Sequence, residues 1–105
     1  MSTPSDITPE DVFVWDALRT IPDPEFGLNI VDMGLIYEVS NNDGDIRVIM
    51  TLTTLNCPSG DWIYEGAKSV VRLLPFAKNV EVTMVFNPPW TPEMLSEAGK
   101  RQLGW

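Results

Sequence analysis

Cys57 is the only thiol among 105 residues, and no histidine accompanies it. Thiolate chemistry is therefore available, as nucleophilic attack, redox exchange or ligation of a soft metal. Cys-His catalysis, imidazole acid-base relays and histidine-ligated metals are excluded. The thiol stands in Met50-Thr51-Leu52-Thr53-Thr54-Leu55-Asn56-Cys57-Pro58-Ser59-Gly60-Asp61, where an alternating apolar run gives way to a helical pattern. With Ser59-Gly60-Asp61 opening that helix, Cys57 sits just ahead of unpaired amides that favour an anion. Asp61 opposes this with a negative charge in the same turn, and no basic side chain adjoins in sequence, so the sign of the thiol's pKa shift stays open. A buried cysteine plugging a strand end fits the same spacing. Pro58 suits a sharp strand-to-helix transition under either reading.

One thiolate cannot enclose a metal within one subunit, because an iron-sulfur cluster takes about four thiolates and a structural zinc about four Cys or His ligands. The missing ligands would come from a second subunit, a small thiol, a carboxylate or a client protein, which points to transient handling rather than storage. Asp23, Glu25 and Asp32 gather in loops and have the chemistry to bind a cation or act as a base, but turn formation and helix capping use such side chains more readily. Trp90, between Pro89 and Thr91-Pro92, either anchors the last helix or presents itself to a partner, with the packing role favoured.

The elements that must position these residues are legible in the apolar periodicity. Thr8-Pro9-Glu10-Asp11 reads as an N-cap, a first-turn proline and first-turn acids, followed by Val12, Trp15 and Leu18 on one face of a helix that ends before Pro22. Asp23-Pro24-Glu25-Phe26-Gly27 is turn chemistry, a strand starts near Leu35-Ile36-Tyr37-Glu38-Val39, and Asn41-Asn42-Asp43-Gly44 predicts a hairpin turn. Ile46, Val48, Met50 and Leu52 then alternate on one strand face. Ile63, Ala67, Val70, Val71 and Leu74 recur at helical spacing up to Pro75, and Lys78 to Phe86 gives another strand. A helix of that length between two strands predicts a parallel pairing with a right-handed crossover. Thr91-Pro92-Glu93 can cap a last helix ending near Gly104. The expectation is an α+β, two-layer domain in the order α-β-β-α-β-α, with a small mixed sheet of about three strands and helices packed mainly on one face.

Forty-four per cent hydrophobic content over this length fits a single domain, residues 1–105, with residues 1–7 expected to be disordered. Seven basic against fifteen acidic residues, a net charge of -8, would repel nucleic-acid phosphates and anionic lipid, so no nucleic acid and no membrane are expected as partners. The start Met1-Ser2-Thr3-Pro4-Ser5-Asp6 has no signal-peptide pattern, no apolar run approaches about 20 residues, and a lone reduced thiol suits a reducing compartment. A cytoplasmic protein is expected.

Several stretches together resemble the family of iron-sulfur (metal-sulfur) cluster assembly factors of the SufT, PaaD-like and cytosolic iron-sulfur targeting type. They are Asp23-Pro24-Glu25, Asn29 to Tyr37, Met50 to Thr53 with Cys57-Pro58, and Asn87-Pro88-Pro89-Trp90-Thr91-Pro92-Glu93-Met94-Leu95-Ser96. Each is weak alone; their order and spacing across most of the chain are not. The resemblance implies a compact, often dimeric α/β domain that assists maturation of iron-sulfur proteins, with Cys57 as the functional thiol. It also implies that Asp23 to Glu25 and Asp32 line the same surface; Asn56, Asp61 and Trp90 are further surface residues expected near the site. The chain departs from the pattern at Asn56, where glycine is common before the cysteine, and at Asn87, where aspartate is common. The cysteine-rich extension of PaaD-like proteins does not follow the core.

The functional expectation is a non-enzymatic assembly factor that uses Cys57 as a transient ligand or contact, working as a homodimer with iron-sulfur scaffold or client proteins. A cluster would be shared between subunits or with a client. An enzyme with Cys57 as nucleophile would lack both a histidine base and a resolving cysteine. The alternative is an interaction adaptor in which Cys57 is structural and the Pro88-Pro89-Trp90 loop or a sheet edge binds partners.

Overall fold

A computed structural model describes residues 9–54 and 60–105. Its first helix, α1 (Pro9–Leu18), begins at the proline, with Glu10 and Asp11 in the first turn where they complement the helix dipole. Of Val12, Trp15 and Leu18, only Val12 lies off the buried face. Val14 and Leu18, one turn apart, are fully buried, Trp15 is half-buried and Val12 is exposed. The N-cap expected at Thr8 lies outside the described residues.

Where the sequence reads as turn chemistry, the backbone forms a two-residue antiparallel ladder between β1 (Pro22–Asp23) and β2 (Leu28–Asn29). The turn it closes contains Gly27 at φ +70°. The main sheet has the order β3 (Ile36–Asn42), β4 (Asp45–Met50), β5 (Asn79–Met84). β3 and β4 form the expected hairpin: Asp43 and Gly44 both take positive φ, 58° and 95°, as a two-residue turn matched to strand twist requires. A bulge at Tyr37 interrupts this ladder, and the Tyr37 hydroxyl donates to the carbonyl of Pro88 at 2.8 Å.

β4 pairs with β5 in parallel, in register from Asp45↔Asn79 to Met50↔Met84, and α2 (Gly60–Arg72) makes the crossover. Ile46, Val48, Met50 and Leu52 are all buried, as their alternation predicts. Ile63, Ala67 and Val71 of α2 join them, with Val82 from β5 and Leu18, Ile30, Met33 and Leu35 from the N-terminal half. Each fully buried large apolar side chain in this cluster contributes on the order of 1.5–3 kcal/mol.

The last helix starts later than Thr91 suggests. Thr91 precedes a 3-10 turn, Pro92–Met94, without a side-chain bond. Ser96 is the true N-cap of α3 (Glu97–Leu103): its hydroxyl accepts from the Gly99 N–H, and Gly104 in the left-handed region ends the helix. Leu95, buried in the core and extended in ψ, separates the two turns. The result is the expected mixed α+β architecture, with the small β1-β2 ladder as an addition.

Candidate functional site

Cys57 and Asn56 lie outside the described residues. On either side of them, the Leu52 side chain packs against Gly60, so closely that a β-carbon on Gly60 would lie 2.8 Å from Leu52 Cδ1. Leu52 ends the buried alternation that runs through β4, and Gly60 is the first residue of α2, so sheet and crossover helix together hold the two ends side by side. Asp61 and Trp62 follow in the first turn of α2, both exposed.

The Asp23-Pro24-Glu25 turn divides into a buried and an exposed part. Asp23 is 1% exposed, and its Oδ1 accepts from the Glu25 N–H at 2.9 Å, an Asx-type turn that the β1-β2 ladder encloses. Burial pushes the Asp23 carboxyl above its ordinary range, against the bonding from the Glu25 and Phe26 backbone, with the Glu25 charge pushing further in the same upward direction. Pro24 and Glu25 are exposed.

Asp32 is committed to its own chain. Its Oδ2 accepts from Asn29 Nδ2 at 2.7 Å, its Oδ1 accepts from the Ser96 hydroxyl at 2.8 Å, and its N–H donates to Asn29 Oδ1. Trp90 is half-buried: its Nε1 donates to the carbonyl of Met33 at 2.6 Å and its ring lies 6.2 Å from that of Phe26. The structure thus brings the Asp23 to Phe26 turn, the Asp32-Met33 turn and Trp90 together through aromatic contact and long-range bonds. Trp105 completes this cluster edge-on to Phe26 at 6.3 Å. These contacts join residues far apart in sequence, and no local spacing signals them.

Among the described residues, no three His, Cys, Asp or Glu side chains converge to hold a metal ion. A shallow groove of about 750 Å³ runs by the main sheet, lined mostly by polar residues that include Ser40, Asp45, Arg47, Asn79, Glu81 and Lys68. Arg47 and Glu81 pair across it at 3.0 Å and Asn79 donates to Asp45 at 2.8 Å, so most of its polar lining is bonded within the chain. No described helix is long and apolar enough to cross a membrane.

Fold and composition define an acidic α+β domain with a single thiol between the central strand and the crossover helix. Residues 12–84 match the family described as iron-sulfur cluster assembly protein. The chain is 42% identical to an Fe-S protein maturation auxiliary factor of Porphyromonas gingivalis over 84% of its own length and 85% of that protein's. It is 43% identical to the Fe-S protein maturation auxiliary factor SufT of Staphylococcus aureus, over 78% and 94% of the two chains. The fold matches a crystal structure of a domain of unknown function, DUF59, from Bacillus anthracis, with a TM-score of 0.87 at 31% identity, covering 97% of this chain and 98% of that one. The chain belongs to the iron-sulfur cluster assembly protein family.

Proposed function

We propose that this chain is a cytoplasmic, non-enzymatic maturation factor that offers Cys57 as a transient ligand while an iron-sulfur cluster passes to a client protein. The observation that carries this reading is that a chain belonging to an iron-sulfur assembly family supplies one thiol and no histidine. The cluster is cargo on this reading. A single thiolate leaves about three ligand positions to be filled by a client, a scaffold or a second subunit, and hand-over is their replacement by client ligands. The names of the relatives, maturation auxiliary factors rather than enzymes, support the non-catalytic role.

Anaerobic iron and sulfide reconstitution of the parent chain and Cys57→Ser, followed by transfer to an apo iron-sulfur acceptor protein, tests it. Iron and sulfide that depend on Cys57, and acceptor activation that the serine variant fails to support, are expected. Equal transfer by both chains would sink the ligand role and leave the adaptor reading, in which the exposed Pro88-Pro89 stretch or a sheet edge recruits partners.

A further inference from the structure

We infer that the outward face of α2 is a homodimer interface, on which α2 of a second copy packs antiparallel across a two-fold axis near Ala67. Two adjacent rows run along this face at the four-three-four spacing of helices that pack on helices. The first is Trp62, Gly66, Ser69 and Leu73; the second is Asp61, Glu65, Lys68 and Arg72. Trp62 is 53% exposed and Leu73, directly after the last helical residue, 82%. Between them Ser69 is small and exposed, so a second helix can approach there. Ile21 lies against Gly66 and closes the side of the face nearest α1.

The charged row decides the occupant. Its first half is acidic and its second half basic. In an antiparallel two-fold pair the same flank of each helix meets itself in reverse order. Asp61 then faces Arg72 of the second copy, Glu65 faces Lys68, and Trp62 lies over Leu73 in the neighbouring row. A parallel pair would set each charged row against the Trp62 to Leu73 row of the second copy and leave the charges unmatched. Among the described residues, Asp61, Glu65 and Arg72 form no ion pair within their own chain, and Lys68 lies 5.9 Å from the centre of the Tyr64 ring. The charges are thus available to a second copy.

The interface does not draw on the iron-sulfur reading. Antiparallel packing places the two Gly60 ends roughly 20 Å apart along the helix pair. The two Gly60 ends, each three residues after Cys57 in sequence, are then set at opposite ends of the pair.

Sedimentation velocity over a dilution series, at low and high salt, tests the interface on the parent chain, on Glu65→Lys and on Glu65→Lys combined with Lys68→Glu. The parent chain is expected to form a dimer that salt weakens. Glu65→Lys turns two symmetry-related attractions into repulsions and is expected to raise the dissociation constant about tenfold. The double exchange restores complementarity and is expected to return it to near the parent value. Far-UV circular dichroism confirms that these substitutions leave the fold intact. A parent chain that is monomeric throughout overturns the proposal, as does a single variant that dimerises as well as the parent, or a double variant no tighter than the single. Iron loading plays no part in the readout, so failure here is distinct from failure of the cluster-transfer reading.

Discussion

Ser96 is bonded to Asp32 twice: its hydroxyl donates to the Asp32 carboxylate at 2.8 Å, and its backbone N–H donates to the Asp32 carbonyl at 2.9 Å. The same hydroxyl caps α3 by accepting from Gly99. One side chain therefore starts a helix and fastens it to a turn 64 residues earlier.

Ser96→Ala removes the cap and one of the two links, and is expected to destabilise the fold by about 1–2 kcal/mol. Asp32→Ala breaks the same link from the other side. In a double-mutant cycle read by urea unfolding, the two losses should fall short of additive. Strict additivity would show that the pair is not energetically coupled.

Two glycines with similar backbone angles should respond very differently to alanine. Gly27, at φ +70°, has open space where a β-carbon would go, so Gly27→Ala carries only the left-handed penalty of about 1–2 kcal/mol. Gly34, at φ +78°, lies directly against the Met94 backbone, and a β-carbon there collides with the Met94 carbonyl. Gly34→Ala should cost at least a few kcal/mol and release residues 88–105 to faster amide exchange. Equal thermal melts for the two variants would contradict this packing.

Burial holds the Asp23 carboxyl above its ordinary value of 3.8, so the folded chain binds that proton more tightly than the unfolded chain does. As pH rises from 3.8 through the raised folded value, this group's contribution to stability therefore falls, and above that window the full burial penalty remains. Asp23→Asn keeps an acceptor for the Glu25 N–H and removes the titration. Its melting temperature relative to the parent should climb as pH rises through that window and then level off. A difference that does not change with pH would remove Asp23 as the source.

Much of the central architecture was legible because burial imposes period. Ile46, Val48, Met50 and Leu52 alternate and are buried, Ile63, Ala67 and Val71 repeat at helical spacing and are buried, and the parallel β4-β5 pairing follows from the helix between them. The β1-β2 ladder was not legible, since two residues per strand contain no period. In α1 Val12 was read as buried where Val14 is, because two valines are equally apolar and only the tertiary packing chooses between them. At the site, the acids were visible as residue types but not as roles: Asp23 is buried and Asp32 is tied to Asn29 and Ser96, through contacts that the chain makes only when closed. Thr91 and Ser96 compete as caps in sequence, and the hydroxyl bonded to Gly99 settles which one starts α3.

The family match stops at residue 84, yet the acceptors at Asp32 and Met33, and the space beside Gly34, are filled by Ser96, Trp90 and Met94. The recognisable stretch is therefore shorter than the packed unit. A fragment trimmed to residues 12–84 would keep β3, β4, α2 and β5 but expose Leu28 and two stranded acceptors on one flank, a surface prone to self-association. For protein production, and for grafting this domain onto another chain, the cut belongs beyond α3, with Ser96 and Trp90 retained as the clasp that finishes the fold.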